Sequence, residues 1–336
     1  MCTAITLKTS ENHHLVGRNF DIHPMNDLSV ALVPREFEYV NRVTNEEMKT
    51  KYAVLGMGLF YENHILFCDG VNEKGLSCLM LQLSKFSTWS HKIRKDKVNI
   101  APYDVAFWVL SNFSTISELM EGLKQLNIVA LPDDQMALST EIHWLVSDTS
   151  GQSIVIERTR DKLTVYNNKV GVLANSPTFD WHLNNLDRYI NVKSDQPEEI
   201  KWGQQMLSTY LELTPLGSAT GGIGLPGDFS SPSRFVKAAF LRNHVNVGDS
   251  EESAISECFH ILDNVAIPRG VVENSTGKEC FLTQYSACLC LETQLYYYKT
   301  SSNQQIQVID LNKENLDAKG LKLFPYPTRL TVHDQN

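Results

Sequence analysis

Residues 1–8 read MCTAITLK and residues 15–19 read LVGRN, and these two stretches decide how the N-terminus folds. Both are short and carry apolar or β-branched side chains, which is typical of strands. Glu11 and Asn12 lie between them and supply polar residues for a turn. We therefore predict an antiparallel pair that returns residues 17–21 to a position beside Cys2.

Further strand signals come in pairs along the chain. Residues 143–148 and 153–157 flank a Thr-Ser-Gly turn, and residues 281–292, 294–299 and 305–310 predict a C-terminal meander. We expect residues 52–57, 65–67 and 76–83 to extend the N-terminal sheet.

Helices are fewer and lie in separate blocks. TISE at 115–118 predicts a capping box, Ser231 before Pro232 predicts a helix start, and residues 252–264 have helical spacing of apolar side chains. Adjacent antiparallel strands with separate helical blocks indicate a layered α+β protein. No repeat or linker interrupts the chain, so we predict one domain over 1–336.

Charge and apolar patterning exclude several classes of partner. The net charge of −9 argues against binding to nucleic acid, because a phosphate backbone attracts clustered Lys and Arg. No apolar stretch is long enough to cross a membrane, and no charged leader precedes an apolar block. Seven cysteines without CxxC spacing fit reduced thiols. We therefore expect a cytoplasmic protein.

Cys2 carries the first chemical signal. Removal of Met1 would leave a thiol and a free α-amine on one residue, and an α-amine titrates near about 7.7–8.0, so it can act as a base. Alone, a cysteine at this position is more often just a small residue that begins a strand. Its neighbours decide between the two interpretations.

Three polar residues are predicted to accompany Cys2. Asp21 is placed to hold the α-ammonium and Arg18 to stabilise the thiolate, although a surface ion pair would explain both equally simply. Asn175 ends an apolar strand just before Pro177, where its amide can donate to an oxyanion or simply serve a turn.

A glycine-rich segment at 221–227 formally matches GxGxxG. We reject a dinucleotide site, because no strand precedes the segment and Pro226 interrupts the turn where phosphate needs backbone N–H groups. We expect a loop folded over the site, with Arg234 on the helix behind it. Ten histidines lack HExxH spacing, so we expect neither a metal nor a cofactor, and a metal hydrolase is the weaker alternative.

Together these pieces resemble the choloylglycine hydrolase family, which includes bile salt hydrolases and penicillin V acylases. The resemblance extends nearly from end to end of the chain. The motifs are MCT at 1–3, GRNFD at 17–21, DGVNEKGL at 69–76, HW at 143–144, VLANSPTFD at 172–180, GLPGD at 224–228 and SRF at 233–235. The resemblance implies a four-layer αββα N-terminal-nucleophile fold and cleavage of a linear non-peptide amide.

The resemblance also implies roles for individual residues. Cys2 would be the nucleophile and, through its amine, the base, while Arg18 and Asp21 would set the thiol charge and position the amine. Asn175 and the backbone N–H of Gln82 would form the oxyanion hole, and Arg234 would complete the polar site. Relatives often form homotetramers, and the segment 188–220 resembles the arm that contacts a neighbouring subunit.

The substrate is left open by the sequence. Bile salt hydrolases usually carry Asn at the position of Gln82, and penicillin V acylases carry Tyr; the frame MLQLSKF at 80–86 resembles the latter. A conjugated bile salt or penicillin V is expected, with loops 58–65 and 129–142 beside the acyl pocket. Alternatives are an acylase for N-acyl-homoserine lactones or N-acyl amino acids, and a non-catalytic binder with a pocket of Phe20, Met25, Phe60 and Tyr61.

Overall fold

A computed structural model describes residues 1–61, 64–131, 140–204, 209–274, 277 and 280–336. The strands are β1 (Cys2–Lys8), β2 (His14–Ile22), β3 (Leu28–Val33), β4 (Glu38–Val40), β5 (Glu47–Lys49), β6 (Val54–Tyr61), β7 (His64–Asn72), β8 (Ser77–Gln82), β9 (Val98–Ile100) and β10 (Leu126–Ile128). They continue with β11 (Ile142–Ser147), β12 (Ser153–Thr159), β13 (Lys162–Asn167), β14 (Val172–Leu173), β15 (Ile200–Gln204), β16 (Thr209–Leu213), β17 (Val272–Glu273), β18 (Cys280–Cys290), β19 (Leu295–Thr300), β20 (Asn303–Asp310) and β21 (Lys322–Phe324).

The α-helices are α1 (Val105–Asn112), α2 (Ile116–Leu123), α3 (Phe179–Leu186), α4 (Ser231–His244) and α5 (Glu251–Asp263). The predicted cap of α2 is confirmed, because the Thr115 hydroxyl accepts from the Glu118 N–H. The Glu118 carboxylate reaches one residue further than in a standard box and accepts from the Ser114 N–H. Of the helices in the described residues, none is both long and apolar enough to cross a membrane.

Helix α4 begins differently from the prediction by one residue. Ser230, not Ser231, is the cap: its backbone is extended and its hydroxyl accepts from the Ser233 N–H. Pro232 therefore occupies the second helical position, in the first turn, where a backbone N–H would have no acceptor within the helix.

The first main sheet is built around the two N-terminal strands. Its order is β14-β1-β2-β18-β19-β20, and β17 adds to β18. Strands β1 and β2 pair antiparallel with Cys2 opposite Phe20 and Ala4 opposite Arg18, so the predicted N-terminal pair is confirmed. The predicted C-terminal meander forms the other half of this sheet.

The second main sheet has the order β13-β12-β11-β8-β7-β6-β3-β21. The predicted hairpin of β11 and β12 is confirmed. The expectation that residues 52–57, 65–67 and 76–83 extend the N-terminal sheet is wrong, because β6, β7 and β8 belong to the second sheet. The edge of β2 that they would occupy is taken by β18, which arrives from the far end of the sequence.

The sheets lie face to face between helices. Helices α4 and α5 pack against β1, β2 and β18 of the first sheet, and α1 packs against β6, β7 and β8 of the second. A continuous cluster of buried apolar side chains joins both sheets to these helices. The four-layer αββα arrangement is thus confirmed, and residues of β1 and β2 point into the space between the sheets.

Candidate active site

Cys2 begins β1 and is 4% exposed. Residues paired directly across an antiparallel ladder share a face, and so do residues two apart. The register of β1 and β2 therefore places Cys2 and Arg18 on the same face, toward the second sheet. The Arg18 Nη2 atom lies 2.9 Å from the Cys2 Sγ atom. The predicted proximity of these two residues is thereby observed.

Arg18 is completely buried. Its Nη1 atom donates to the Cys68 carbonyl at 2.7 Å and lies 3.3 Å from Oδ2 of Asp69. Burial lowers the pKa of the guanidinium, but Tyr285, Cys2 and Asp69 together raise it further, so the net shift is upward. Arg18 therefore stays positively charged beside the thiol.

Asp21 follows Arg18 by three residues and so points to the opposite face of β2. Its Oδ1 atom accepts from the Thr283 hydroxyl at 2.6 Å, and its Oδ2 atom lies 3.6 Å from Nη1 of Arg234. Oδ2 is buried and accepts no hydrogen bond from the described residues. Asp21 thus keeps a buried carboxylate oxygen available for a further donor.

Met1 occupies the strand position next to Asp21. The Met1 carbonyl accepts from the Asp21 N–H at 2.9 Å, and the Met1 amine donates to the Asp21 carbonyl. Burial lowers the pKa of this amine. While Met1 is present, the nitrogen of Cys2 belongs to a peptide bond and cannot accept a proton from the thiol.

Asn175 lies just after β14, which pairs with β1. Its Oδ1 atom accepts from the Cys2 N–H at 2.5 Å and from Arg234 Nη2 at 2.8 Å, and its Nδ2 atom donates to the Gln82 carbonyl at 2.9 Å. Two donors at one atom and an acceptor at the other settle the orientation of the carboxamide. One hydrogen of Nδ2 is used by Gln82, which leaves the other for a ligand.

Arg234 lies in the first turn of α4 and is buried. Besides Asn175, it donates to the Cys2 carbonyl at 2.5 Å and to the Phe229 carbonyl at 3.0 Å. Burial lowers its pKa, while Asp21 and Cys2 oppose that shift. Arg234 thus joins α4 to β1 at the residue that carries the thiol.

Gln82 is the last residue of β8, and its carbonyl brings the second sheet to Asn175. The glycine-rich loop packs against the segment before it, since the Gly222 N–H donates to the Lys193 carbonyl at 2.7 Å. The position of this loop over the site remains a prediction.

Within the described ranges, no group of three or more His, Cys, Asp or Glu side chains could hold a metal ion.

The aromatic residues proposed for a pocket are spread over the core and the surface. Phe20 is buried and stacks on Tyr285 at 5.2 Å between ring centroids, and Phe60 meets Phe67 edge-on. Met25 is half-buried and Tyr61 is exposed. The predicted pocket loops include residues 62–63 and 132–139, which lie outside the described residues.

Sequence reasoning missed a layer of residues behind the site. Asp69 accepts from the hydroxyls of Tyr285 and Tyr296. A charged residue inside the apolar run ILFCDGV at 65–71 was the available signal for Asp69. Nothing in the sequence pointed to the two tyrosines.

Two buried histidines contact the backbone carbonyls that follow β14, at Ala174 and Asn175. His143 Nε2 lies 2.9 Å from the Ala174 carbonyl and its Nδ1 atom 2.9 Å from Oε1 of Glu157. His182 Nε2 lies 2.8 Å from the Asn175 carbonyl, and burial lowers the pKa of His182 to about 4. His182 is therefore neutral near pH 7 and donates through Nε2.

Comparison with known proteins gives consistent matches. The family model described as linear amide C–N hydrolases, choloylglycine hydrolase family, matches residues 2–324. A bile salt hydrolase/transferase from Clostridium perfringens is 44% identical over 336 residues and all of both chains. One from Lactiplantibacillus plantarum is 37% identical over 98% of this chain and 97% of its own. A penicillin V acylase from Pectobacterium atrosepticum is 27% identical over 79% of this chain and 68% of its own.

Solved structures agree. The C2A mutant of the conjugated bile acid hydrolase from Clostridium perfringens superposes with a TM-score of 0.92 at 44% identity over all of both chains. A penicillin V acylase from Agrobacterium tumefaciens shares the fold, with a TM-score of 0.73 at 21% identity over 96% of this chain and 90% of that one.

Proposed function

The chain belongs to the choloylglycine hydrolase family of linear amide C–N hydrolases, and we propose that it hydrolyses conjugated bile salts with Cys2 as the N-terminal nucleophile. One observation carries the proposal of Cys2. Its sulfur lies 2.9 Å from the buried Arg18 guanidinium, while its backbone nitrogen lies 2.5 Å from Oδ1 of Asn175.

Removal of Met1 is the first step of the proposal. It turns the Cys2 nitrogen into a free amine that keeps Asn175 Oδ1 as a hydrogen-bond acceptor. It also vacates the strand position paired with Asp21, whose buried Oδ2 has no donor within the described chain. Asp21 then serves as the carboxylate that orients the new α-ammonium.

The reaction proceeds through an acyl-thioester. The Cys2 amine takes the thiol proton, and the sulfur attacks the amide carbon, which places negative charge on the carbonyl oxygen. The remaining hydrogen of Asn175 Nδ2 and the Gln82 N–H stabilise that charge. As the tetrahedral intermediate collapses, the α-ammonium returns the proton to the leaving nitrogen. Water, deprotonated by the same amine, then hydrolyses the thioester to the acid and restores the thiol.

The substrate class rests on the relatives. Two proteins named bile salt hydrolase/transferase match at 44% and 37% identity over nearly their whole lengths, whereas the penicillin V acylase matches at 27% over a shorter range. Penicillin V is the second candidate, because residues 80–86 lack the glycine of the bile salt hydrolase pattern. An acyl-thioester can also be released by an amine in place of water, which fits the second half of the relatives' name.

Parallel kinetics test the function. Glycine- and taurine-conjugated bile salts and penicillin V are compared by kcat/KM for the wild type, Cys2→Ser and Cys280→Ser. Cys280 lies at the start of β18 and serves as a matched control for loss of a thiol elsewhere. We expect the highest kcat/KM on a conjugated bile salt, none detectable for Cys2→Ser, and unchanged kinetics for Cys280→Ser.

Three results would refute the proposal. Unchanged turnover by Cys2→Ser would exclude Cys2 as the nucleophile. Binding of bile salts without cleavage by the wild type would favour a binding protein. A mass spectrum that shows Met1 on fully active enzyme would exclude the α-amine as base.

We extend the proposal to domain organisation, assembly and location. Residues 1–336 form one domain, and the segment 188–220 contacts other copies in a homotetramer. The β15–β16 hairpin supports this, since it exposes large apolar side chains at Ile200, Trp202, Tyr210 and Leu211; residues 205–208 lie outside the described part. The free cysteines support a reducing compartment, the cytoplasm. Sedimentation velocity tests the assembly, and a monomer at assay concentrations would contradict it.

A further inference from the structure

Arg18 lies between two acidic groups, the Cys2 thiol and the Asp69 carboxyl group, and its contacts with them differ in length. Its Nη2 atom lies 2.9 Å from Cys2 Sγ, whereas its Nη1 atom lies 3.3 Å from Asp69 Oδ2. Arg18, Asp69 and Cys2 are all excluded from solvent or nearly so. A buried guanidinium requires a counter-charge, so the position of Asp69 affects how strongly Arg18 attracts the sulfur.

The contact between Arg18 and Asp69 is weak in geometry. Arginine and a carboxylate usually form two parallel bonds of about 2.7–2.9 Å. Arg42 and Asp104 in this chain do so, at 2.9 and 2.8 Å. Asp69, although fully buried, makes a single long contact with Arg18.

Two tyrosines account for this difference. Tyr296 donates its hydroxyl to Asp69 Oδ1 at 2.5 Å, and Tyr285 donates to Oδ2. Burial raises the pKa of both hydroxyls well above the ordinary tyrosine value, so both remain donors. Each carboxylate oxygen is therefore already engaged by a neutral O–H group and has less affinity for the guanidinium.

The fold builds this arrangement from both sheets. Asp69 lies on β7 of the second sheet, while Tyr285 on β18 and Tyr296 on β19 belong to the first. The register places Ala287 opposite Arg18 and Tyr285 opposite Phe20, so Tyr285 shares the face of Arg18. The two hydroxyls thus cross the space between the sheets to reach Asp69.

We propose that Tyr285 and Tyr296 are positioning residues that hold the Asp69 carboxylate away from a full ion pair with Arg18, so that the guanidinium is kept for the Cys2 sulfur. This inference rests on the proposed role of Cys2. It assigns to the DGVNEKGL motif a function at the thiol, exerted through Arg18 and not through contact with the substrate.

The pH dependence of Cys2 alkylation tests the inference without any substrate. Iodoacetamide is applied over pH 5–9, and the rate is followed on the N-terminal peptide by mass spectrometry. In the Tyr285→Phe/Tyr296→Phe double variant, Asp69 gains free lone pairs, pairs more closely with Arg18 and reduces the charge felt by the sulfur. We expect the alkylation midpoint to rise by about one pH unit, which slows alkylation about tenfold below the midpoint.

We expect Asp69→Asn to shift the alkylation midpoint in the opposite direction. It removes the competing negative charge, so Arg18 is balanced by the thiolate alone and the midpoint falls. The Cys2 α-amine is the same in every variant, so differences between midpoints report on Arg18. A purely structural disturbance would move the Tyr and Asp variants in the same direction.

Tyr298→Phe is the matched control. Tyr298 lies on β19 two residues after Tyr296, is buried, and donates to the Pro325 carbonyl at 3.3 Å. We expect its midpoint to equal that of the wild type. If Asp69→Asn does not fold, the alkylation midpoint of the Tyr285→Phe/Tyr296→Phe variant, compared with that of Tyr298→Phe, tests the inference.

An unchanged midpoint in the double Tyr variant, or a shift in the same direction in the Tyr and Asp variants, overturns the inference. The outcome is separable from the proposed function. If the wild type cleaves bile salts but the variants leave the alkylation midpoint unchanged, only the role of the two tyrosines is refuted. If the Tyr and Asp variants shift the midpoint in opposite directions but the wild type does not cleave bile salts, only the proposed substrate is refuted.

Discussion

The two sides of Cys2 are supported in different ways. The sulfur faces Arg18, which is backed by Asp69 and two tyrosine hydroxyls, so this side consists of buried charges. The nitrogen faces Asn175, a neutral carboxamide fixed by Arg234, Gln82 and His182. Charges act through their field and respond to pH, whereas a carboxamide acts through direction and does not titrate. Mutations on the two sides should therefore differ in how their effects depend on pH.

Asn175→Ala should have the largest effect. The variant loses the Nδ2 donor to the oxyanion and the Oδ1 acceptor for the Cys2 nitrogen. Loss of one oxyanion donor typically reduces kcat about 10²–10³-fold. The lost Nδ2 donor does not titrate, so most of the fall in kcat should persist at every pH between 6 and 9. A loss of less than tenfold would show that Asn175 does not stabilise the oxyanion.

Arg18→Gln should have the next largest effect, with a different pH dependence. The variant removes the guanidinium 2.9 Å from the sulfur, and with it the positive charge nearest to the attacking atom. We expect kcat/KM at pH 6 to fall about hundredfold and to recover at least tenfold by pH 9.

Arg18→Lys is the control for this experiment, because it keeps a positive charge beside Asp69 and avoids an unpaired buried carboxylate. A pH-independent loss in Arg18→Gln would show that Arg18 acts by shape and not by charge. The contrast between the two sides of Cys2 would then fail.

His182→Phe should have the smallest effect on catalysis. Phenylalanine can keep the stacking of residue 182 on Phe235 but removes the donor to the Asn175 carbonyl. We expect kcat to fall about three- to tenfold and the free energy of unfolding at pH 7 to fall by about 1–3 kcal/mol. An unchanged kcat would show that the hydrogen bond from His182 to the Asn175 carbonyl is not needed to position Asn175.

The same variant has a defined stability signature. In the folded protein the pKa of His182 is lowered from 6.5 to about 4, so the unfolded chain binds a proton that the native state refuses. Above pH 6.5, His182 is neutral in both states and the free energy of unfolding is not reduced. As pH falls from 6.5 toward 4, protonation of the unfolded chain lowers the free energy of unfolding by up to about 3 kcal/mol. Denaturant unfolding at pH 7 and pH 4.5 should show a smaller acid-induced loss for His182→Phe than for the wild type.

The contact between Cys2 and Arg18 was predictable from the sequence because it is local. Cys2 and Arg18 belong to strands joined by a short turn, and a hairpin of that length leaves few registers that bury both apolar sets. The cap at Thr115 is equally local. The start of α4 was placed one residue late, since Ser230 and Ser231 are both competent caps and only backbone geometry distinguishes them.

The sequence by itself therefore determined the N-terminal strand pair that brings Arg18 beside Cys2, the cap at Thr115 and the α+β class, because turns, caps and strand periodicity act between near neighbours. Tertiary structure alone decided that β6, β7 and β8 join the second sheet and that Asp69 accepts hydrogen bonds from Tyr285 and Tyr296. The Asp69 contacts span more than 200 residues of sequence and exist only because two sheets stack with one particular register. A carboxylate, two phenols and a guanidinium carry no pattern that links them in sequence, yet once buried together they must satisfy one another's charge and hydrogen bonds.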